Sequence, residues 1–302
     1  MTPPDAGIQP LACGAAAPGT YFATRGARPR IPPAAPHEIV VVKVGGSVLS
    51  SAGRFGEAAA ALRSDLAARP DERLVVVVSA QLGQTDALRA TARALCAPPD
   101  PAALDLLLST GELRSVALLA LHLRAIGVAA AALGIHASGL FAERCDGAGD
   151  VPRLSANPLR VRGLAARHPL LVAPGFVARG PGDHCVTLGR GGSDLTAVAI
   201  AAALRARRCE LIKDVPGYFT RDPHRFADAL PIEALDYDQA LRMAAAGCEL
   251  VQPAALRHAR DTRTPLLVRS LSRDGHGTRI DAAGAASGGG NDETGRADNR
   301  HP

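Results

Sequence analysis

The chain has 302 residues, which suffices for one large domain or two modest ones. Its formal charge is +5, but the basic residues are scattered and aromatic residues make up only 3%, so no basic stripe with interleaved stacking residues is present. The longest apolar run, near 116–135, is interrupted by His122 and Arg124, which indicates an amphipathic helix followed by a strand. These features disfavour both nucleic-acid and membrane partners.

The six cysteines form no CxxC pair and no metal-like cluster with histidine. This pattern is typical of reduced thiols in a cytoplasmic protein, and it predicts no resident metal site.

Both ends of the chain differ from its middle. Residues 1–36 contain eight prolines and no clear periodicity, which predicts a flexible arm, with a transit-type peptide as the open alternative because of the arginines. Residues 283–302 are rich in Gly, Asn and Asp and are predicted to form a disordered tail. The predicted ordered domain is therefore 37–282.

Within this domain, short apolar runs alternate with helical patterns. In chain order the prediction is a strand at 38–44, a helix at 53–69, a strand at 72–80, two helices in 84–126 broken at 96–101, strands at 127–134 and 169–177, a helix at 193–207, a strand at 209–215, a helix at 236–247 and a strand at 264–271. Such alternation predicts a mostly parallel sheet covered by helices on both faces. Ligands of such sheets bind beyond the carboxyl ends of the strands.

Lysine is rare in this chain. Only Lys43 and Lys213 are lysine among the 34 basic residues. Lys43 ends a buried strand and is followed by Gly45-Gly46-Ser47, a tight turn whose N–H and hydroxyl groups can face an anion. The order differs from a P-loop, where the lysine follows the glycines. The alternative is a solvated lysine before an ordinary turn.

A second glycine-rich turn precedes the helix predicted at 193–207. Gly189-Arg190-Gly191-Gly192 leads into Ser193, a candidate N-cap, and Asp194 in the first helical turn. Such helix starts bind anions, and the guanidinium of Arg190 can hold a carboxylate through two hydrogen bonds. The alternative is a well-capped helix with no ligand.

Two further segments carry charged residues at special positions. Lys213 and Asp214 end a strand before a tight turn, so both lysines of the chain fall at the carboxyl ends of strands. We therefore expect a site for a highly phosphorylated anion. Glu112 is predicted at the opening of a long helix, where it could bind a ligand or merely offset the helix dipole.

These four segments, in this order, resemble the catalytic domain of aspartate kinases, within the amino acid kinase family. The matching motifs are KVGGS (43–47), VVVSAQLGQTD (76–86), STGE (109–112), LGRGGSD (188–194) and KDVPGYFTRDP (213–223), with weaker matches at 235–241 and 265–278. LGRGGSD is the most specific of them, and the resemblance covers about 39–280.

The resemblance implies a three-layer α/β/α sandwich with a mostly parallel central sheet. It also implies attack by a substrate carboxylate on the γ-phosphate of ATP bound with Mg²⁺, most simply conversion of L-aspartate to 4-phospho-L-aspartate. Family members are often dimers, so a cytoplasmic homodimer is expected.

The same resemblance assigns roles to individual residues. Lys43, Asp194 and Lys213 would be catalytic, with the carboxylate of Asp194 orienting the two lysines. The implied ATP-binding residues are Lys43, Gly45, Gly46, Ser47, Lys213, Asp214, Phe219 and Asp222. The implied substrate-binding residues are Ser47, Glu112, Arg190 and Ser193, with Glu112 facing the ammonium and Arg190 the carboxylate of aspartate.

Three departures from the family pattern are present. The later "GAKVLHP" motif reads GCELVQP, with Glu249 in the lysine position, so Lys213 is expected to supply the missing charge. The "GWQAGI"-like loop reads GIHASGL, and His136 and Ser138 raise the alternative of another acidic substrate. The chain also ends soon after the kinase domain, so regulatory domains are not expected. A catalytically silent, kinase-like binding protein is the remaining alternative.

Overall fold

The computed structural model describes residues 38–143, 153–223, 225–226, 228–272 and 277–284. The predicted arm, 1–36, lies outside these residues, as does the predicted tail apart from Ala283 and Gly284. The described strands are Glu38–Val44 (β1), Glu72–Val78 (β2), Ala130–Ala132 (β3), Leu140–Glu143 (β4), Arg153–Ala156 (β5), Leu170–Pro174 (β6), Val177–Arg179 (β7), Cys185–Thr187 (β8), Arg208–Lys213 (β9), Ala234–Asp236 (β10), Leu266–Ser270 (β11) and Thr278–Asp281 (β12). The described helices are Ala52–Ala68 (α1), Gln84–Leu95 (α2), Pro101–Ala125 (α3), Pro158–Ala165 (α4), Gly192–Leu204 (α5), Tyr237–Ala245 (α6) and Pro253–Thr262 (α7).

An eight-stranded sheet forms the middle layer, in the order β10-β12-β11-β9-β1-β2-β6-β3. Its neighbouring strands run parallel except for the β11–β12 pair. Side chains alternate along each strand, so that Val40 and Val42 lie in the core cluster that includes residues of α1 and α3, whereas Val41 lies in the cluster that includes residues of α5, α6 and α7. This confirms the predicted mostly parallel sheet between two helical layers.

A smaller sheet of the order β5-β4-β7-β8 was not predicted. Its strands have only three or four residues, too few for periodicity to separate them from loops. The single strand predicted at 169–177 is wrong, because the chain divides it into β6 of the large sheet and β7 of the small one. Phe176 lies at the division and adopts a left-handed backbone, with φ of 65°.

Helix α3 is the one described helix long and apolar enough to cross a membrane by length and composition. Half of its most apolar stretch is buried inside the fold, however, where the helix contacts α1, β3 and β6. Its buried face also carries Asp105, Ser109, Glu112 and Ser115. Such burial is typical of the core helix of a water-soluble protein.

Candidate active site

The two lysines lie on adjacent strands and face the same helical layer. Lys43 is in β1 and Lys213 ends β9, and the parallel register pairs Lys43 with Leu211. Since side chains alternate, Lys43 lies on the face of Val41 and Lys213 on the face of Leu211, and both of these apolar residues pack in the cluster that includes α5. Alternation and register together therefore direct both ammonium groups towards the start of α5.

A single carboxylate holds both lysines. Asp194 Oδ1 lies 2.8 Å from Lys43 Nζ, and Asp194 Oδ2 lies 2.8 Å from Lys213 Nζ. Asp194 is 2% exposed. Burial alone would raise the pKa of Asp194, but the two ammonium groups more than offset it and lower the pKa to about 2. The trio therefore carries one excess positive charge when both lysines are protonated.

Asp194 reaches this position because α5 begins earlier than predicted. Ser193 was expected to cap the helix, but the N-cap residue is Gly191, with φ of 72°, and Ser193 lies inside the first turn. Only glycine suits position 191, because a Cβ there would lie 2.2 Å from the Cγ of Gln252. The Ser193 side chain instead lies against the backbone of Gly175.

The lysines form the floor of an open cleft of about 780 Å³, here called the lysine cleft. Its lining residues are Lys43, Ser79, Ala80, Thr85, Asp86, Arg89, Glu112, Phe176, Thr187, Gly189, Arg190, Gly191, Gly192, Ser193, Asp194, Lys213 and Gln252. The structure thus brings together Lys43, Glu112, Arg190, Asp194 and Lys213, which were singled out from four separate segments.

Glu112 is buried in the middle of α3, so its predicted position at a helix opening is wrong, as is the alternative role of offsetting the dipole. Burial raises the pKa of Glu112 to about 8, although the Ala80 N–H and the charge of Lys43 act in the opposite direction. Its Oε2 atom is buried and accepts no hydrogen bond from the described residues. A buried acceptor of this kind fits a ligand that brings its own donor.

Arg190 is exposed at the rim of the lysine cleft. Within the described residues its guanidinium makes no hydrogen bond or ion pair, so its five donors are available to a ligand.

The turn after β1 lies beside the lysine cleft without lining it. A Cβ at Gly45 would lie 3.2 Å from Lys43 Nζ, and one at Gly46 would lie 2.5 Å from the carbonyl oxygen of Ala80. Position 46 therefore needs glycine because the backbone of Ala80 approaches closely, whereas a side chain at position 45 would crowd the ammonium of Lys43. Ser47 is exposed at the tip of the turn.

The segment after Lys213 lines a second cleft of about 730 Å³, here called the loop cleft. Phe219 and Asp222 lie in its wall, opposite Met243 and Cys248 from α6 and the loop that follows it. Asp214 is exposed in the stretch between Lys213 and this cleft. The predicted nucleotide-binding residues are thus separated: Lys43 and Lys213 line the lysine cleft, Phe219 and Asp222 line the loop cleft, and Gly45, Gly46, Ser47 and Asp214 line neither of the two.

His136 and Ser138, at which the sequence departs from the family pattern, lie away from the lysine cleft. His136 lines a separate cavity of about 300 Å³ with Arg160 and Arg179, and Ser138 is buried, donating its hydroxyl to the carbonyl of Ile135 at 2.7 Å. In the described structure this loop therefore lies outside the lysine cleft, and the alternative of another acidic substrate stays a prediction. Glu249 is exposed and lines neither cleft.

Several cleft residues were not identified from the sequence as site residues. Thr85, Asp86 and Arg89 come from the first turns of α2. Thr85 and Asp86 fall in a motif of the family resemblance, whereas Arg89 lies beyond it and had no signal. Phe176 carried none, yet its left-handed backbone is costly for a bulky residue and is held by hydrogen bonds to Thr196 and Leu188.

No group of three or more His, Cys, Asp or Glu side chains that could hold a metal ion occurs among the described residues. The described cysteines, Cys96, Cys185, Cys209 and Cys248, are free thiols.

Comparisons with known proteins identify the family to which the chain belongs. The model of the amino acid kinase family matches residues 38–270. The chain belongs to the amino acid kinase family. Aspartokinase from Thermus thermophilus is 39% identical over 243 residues, which are 80% of this chain and 59% of that protein.

Solved structures of the family point the same way. Aspartate kinase from Synechocystis superposes with a TM-score of 0.67 at 33% identity and covers 81% of this chain and 40% of its own. Aspartokinase III from E. coli, solved with aspartate and ADP, superposes with a TM-score of 0.69 at 25% identity, over 81% of this chain and 65% of its own. The predicted family and its α/β/α fold are confirmed. The chain spans about three fifths of the length of the curated amino acid kinases that it matches.

Proposed function

We propose that this chain transfers the γ-phosphoryl group of ATP to the side-chain carboxylate of an acidic amino acid, with L-aspartate as the acceptor and 4-phospho-L-aspartate as the product. The observation that carries this proposal is the pair of ammonium groups, Lys43 and Lys213, held 2.8 Å from one buried carboxylate at the floor of the lysine cleft. The trio keeps one excess positive charge. Phosphoryl transfer needs mainly positioning and neutralisation of charge, and such a pre-organised cation pair supplies both.

The nucleotide is proposed to lie in the loop cleft with its phosphates directed towards the lysines. Phe219 and Asp222 would contact the nucleoside, and Asp214 lies on the way to the phosphates. Lys43, Lys213 and the turn of Gly45, Gly46 and Ser47 offer ammonium, N–H and hydroxyl donors to phosphate oxygens. The donor set therefore fits a triphosphate, and Mg²⁺ bound to it would share the neutralisation of its charge.

The acceptor is proposed to bind between Glu112 and Arg190. The unpartnered Oε2 of Glu112 suits the ammonium of an amino acid, and the free guanidinium of Arg190 suits its α-carboxylate. Ser193, in the cleft wall, and Ser47 offer hydroxyl groups. The side-chain carboxylate then faces Lys43. The relationship to E. coli aspartokinase III, which was solved with aspartate and ADP, supports both ligands.

We also propose that the protein is a cytoplasmic homodimer. The free thiols of the described cysteines suit a reducing compartment. Light scattering on the purified chain would measure its oligomeric state directly, and a monomeric mass would contradict the dimer.

The function is tested by ATP-dependent formation of acyl hydroxamate with a panel of acids. We expect product with L-aspartate, and we expect Lys43→Ala to lower the rate by about 10³-fold or more. Arg167→Ala is the matched control, because Arg167 is exposed and lines none of the clefts described above. If product forms only with another acid, that acid replaces aspartate as the proposed acceptor. Absence of product with every acid would contradict the proposal and favour a silent, kinase-like binding protein.

A further inference from the structure

A side cavity of about 270 Å³ adjoins the lysine cleft. The two share Arg89 of α2 and Thr187 of β8 in their walls. Thr187 stands three residues before Arg190, so the side cavity opens next to the place where the acceptor is proposed to bind. Its other walls include Leu104 and Leu108 of α3.

Two arginines, Arg89 and Arg93, line the side cavity, against one carboxylate, that of Asp105, among the described residues of its wall. Arg89 and Arg93 are one helical turn apart, so their side chains share one face of α2. Neither guanidinium makes a hydrogen bond or ion pair within the part of the chain that the structure describes. Like charges at this spacing repel and destabilise a helix, so an anion between them would relieve a real cost. Arg89 is half-buried, which strengthens its attraction for such an anion.

The acidic group of the side cavity is already engaged. Asp105 is 4% exposed, and its Oδ1 accepts the hydroxyl proton of Thr187 at 2.7 Å. This contact ties Asp105 to the strand that leads into the Arg190 turn, but a hydroxyl does not neutralise a carboxylate. The described wall of the cavity therefore carries two guanidinium groups and one carboxylate, a net charge of +1 with both arginines as donors.

We propose that the side cavity is a carboxylate-binding subsite of the acceptor site, formed by Arg89 and Arg93. Acids that keep the aspartate unit and add one carboxylate are then expected to bind the acceptor site more tightly than aspartate itself. A guanidinium binds a carboxylate through two parallel hydrogen bonds, and no such donors were expected here from the sequence. This inference rests on the proposed function in that it treats the bound acid as the phosphoryl acceptor. Binding of an anion in the side cavity can be measured without any turnover.

Binding is measured first, by calorimetry without ATP. The ligands are L-aspartate and two acids that keep the aspartate unit and add a carboxylate, N-carboxymethyl-L-aspartate and L-aspartyl-L-aspartate. We expect at least one extended acid to bind wild type about tenfold or more tightly than aspartate, since each charge-assisted contact is worth that much. Arg89→Ala should remove this advantage, Arg93→Ala should reduce it, and Arg167→Ala should leave it intact.

Malonate, added in the presence of saturating aspartate, distinguishes the source of the carboxylate. If malonate binds wild type but not Arg89→Ala, and the extended acids show no advantage, the side cavity binds a separate anion and the proposed acceptor subsite is overturned. If no ligand distinguishes wild type from Arg89→Ala, the proposal is overturned.

Kinetics then separate this inference from the proposed function. The ratio of kcat/KM for the extended acid to that for aspartate should fall about tenfold or more in Arg89→Ala. Turnover of aspartate with a ratio that Arg89→Ala does not change would overturn the subsite and keep the kinase. Binding that depends on Arg89 without turnover of any acid would overturn the kinase and keep the subsite.

Discussion

Two clusters of buried charge lie on opposite faces of the same sheet and differ in their balance. The lysine cluster, Lys43, Asp194 and Lys213, has two cations for one anion and opens into a cleft. Among the described residues, the arginine cluster has three cations and three anions and lies between α1 and the strands β2, β9 and β11; it consists of Asp65, Arg69, Glu72, Arg208, Glu210 and Arg269. Strand β9 supplies both, because Lys213 and Glu210 lie on opposite faces by alternation.

This difference indicates what each cluster does. In the arginine cluster Glu210 is fully buried and is bonded to three guanidinium groups, so its charge is satisfied within the protein. In the lysine cluster, one of the two ammonium charges is not balanced by Asp194 and is available to an anionic ligand. A balanced, closed network stabilises a fold, whereas an unbalanced, open one is a site for an anion.

Removal of a cation from the unbalanced cluster should have the largest effect on catalysis. We expect Lys43→Met to lower kcat by about 10³-fold or more, because the charge that develops on the transferring group loses its nearest cation. The thermal midpoint should change little, since Lys213 still pairs with Asp194. Steady-state kinetics and calorimetric unfolding of the same preparation measure both.

Lys43→Arg sharpens the comparison, because this chain uses arginine nearly everywhere else. The turn at Gly45 lies close to Lys43 Nζ, and a planar guanidinium is larger than an ammonium, so arginine should restore little of the rate. A variant with more than half of the wild-type rate would show that only the charge matters here.

The balanced cluster should respond in the opposite way. Glu210→Gln leaves Arg69, Arg208 and Arg269 with too little negative charge in a buried network, and we expect a loss of about 3–5 kcal/mol in the free energy of unfolding. The kcat of the fraction that remains folded should stay near that of wild type. Urea unfolding followed by circular dichroism measures the free energy of unfolding. Active-site titration with steady-state kinetics measures the kcat of the folded fraction. A fall in kcat without loss of stability would mean that the two clusters are coupled.

The sequence predicted the lysine cluster because strand ends and glycine turns are local signals. Lys43 and Lys213 follow apolar runs, and a parallel sheet brings such ends to one edge. The sequence did not predict the arginine cluster, since Asp65, Arg69 and Arg269 look like ordinary charges on a helix and a strand. Their pairing depends on register and on the packing of α1, which no local pattern encodes.

The small sheet and the side cavity were missed for a related reason. The strands β4, β5, β7 and β8 are too short to show a period, and the left-handed backbone of Phe176 that divides β6 from β7 has no residue signature. The resemblance in sequence likewise did not show that His136 lines a cavity separate from the lysine cleft. Only the folded chain shows that Arg89 lines the lysine cleft and that His136 does not.

A smaller effect is expected from the buried carboxyl of Glu112. Its pKa is raised to about 8, so it is mostly uncharged at neutral pH and becomes a carboxylate as the pH rises. The ammonium group of aspartate binds the charged form. As the pH rises towards 8, KM for aspartate should therefore fall about tenfold for each pH unit, and above pH 8 it should level off. Initial rates at several aspartate concentrations between pH 6 and 8.5 give this profile. Glu112→Gln cannot ionise and should abolish the dependence, whereas the same profile in that variant would assign the titration to another group.

The smallest effect is expected where the chain departs most visibly from its relatives. Glu249 occupies the position of a family lysine, yet it is exposed and lines neither cleft, and Lys213 already lies 2.8 Å from Asp194. Glu249→Lys adds a cation beside Cys248 and Leu250 at the edge of the loop cleft. Exposed charges contribute at most about 1 kcal/mol, so KM for ATP should fall by less than about fivefold and kcat should hold. A rise in kcat of tenfold or more would show that Lys213 does not replace the missing lysine, and that the lysine cluster of this chain is incomplete.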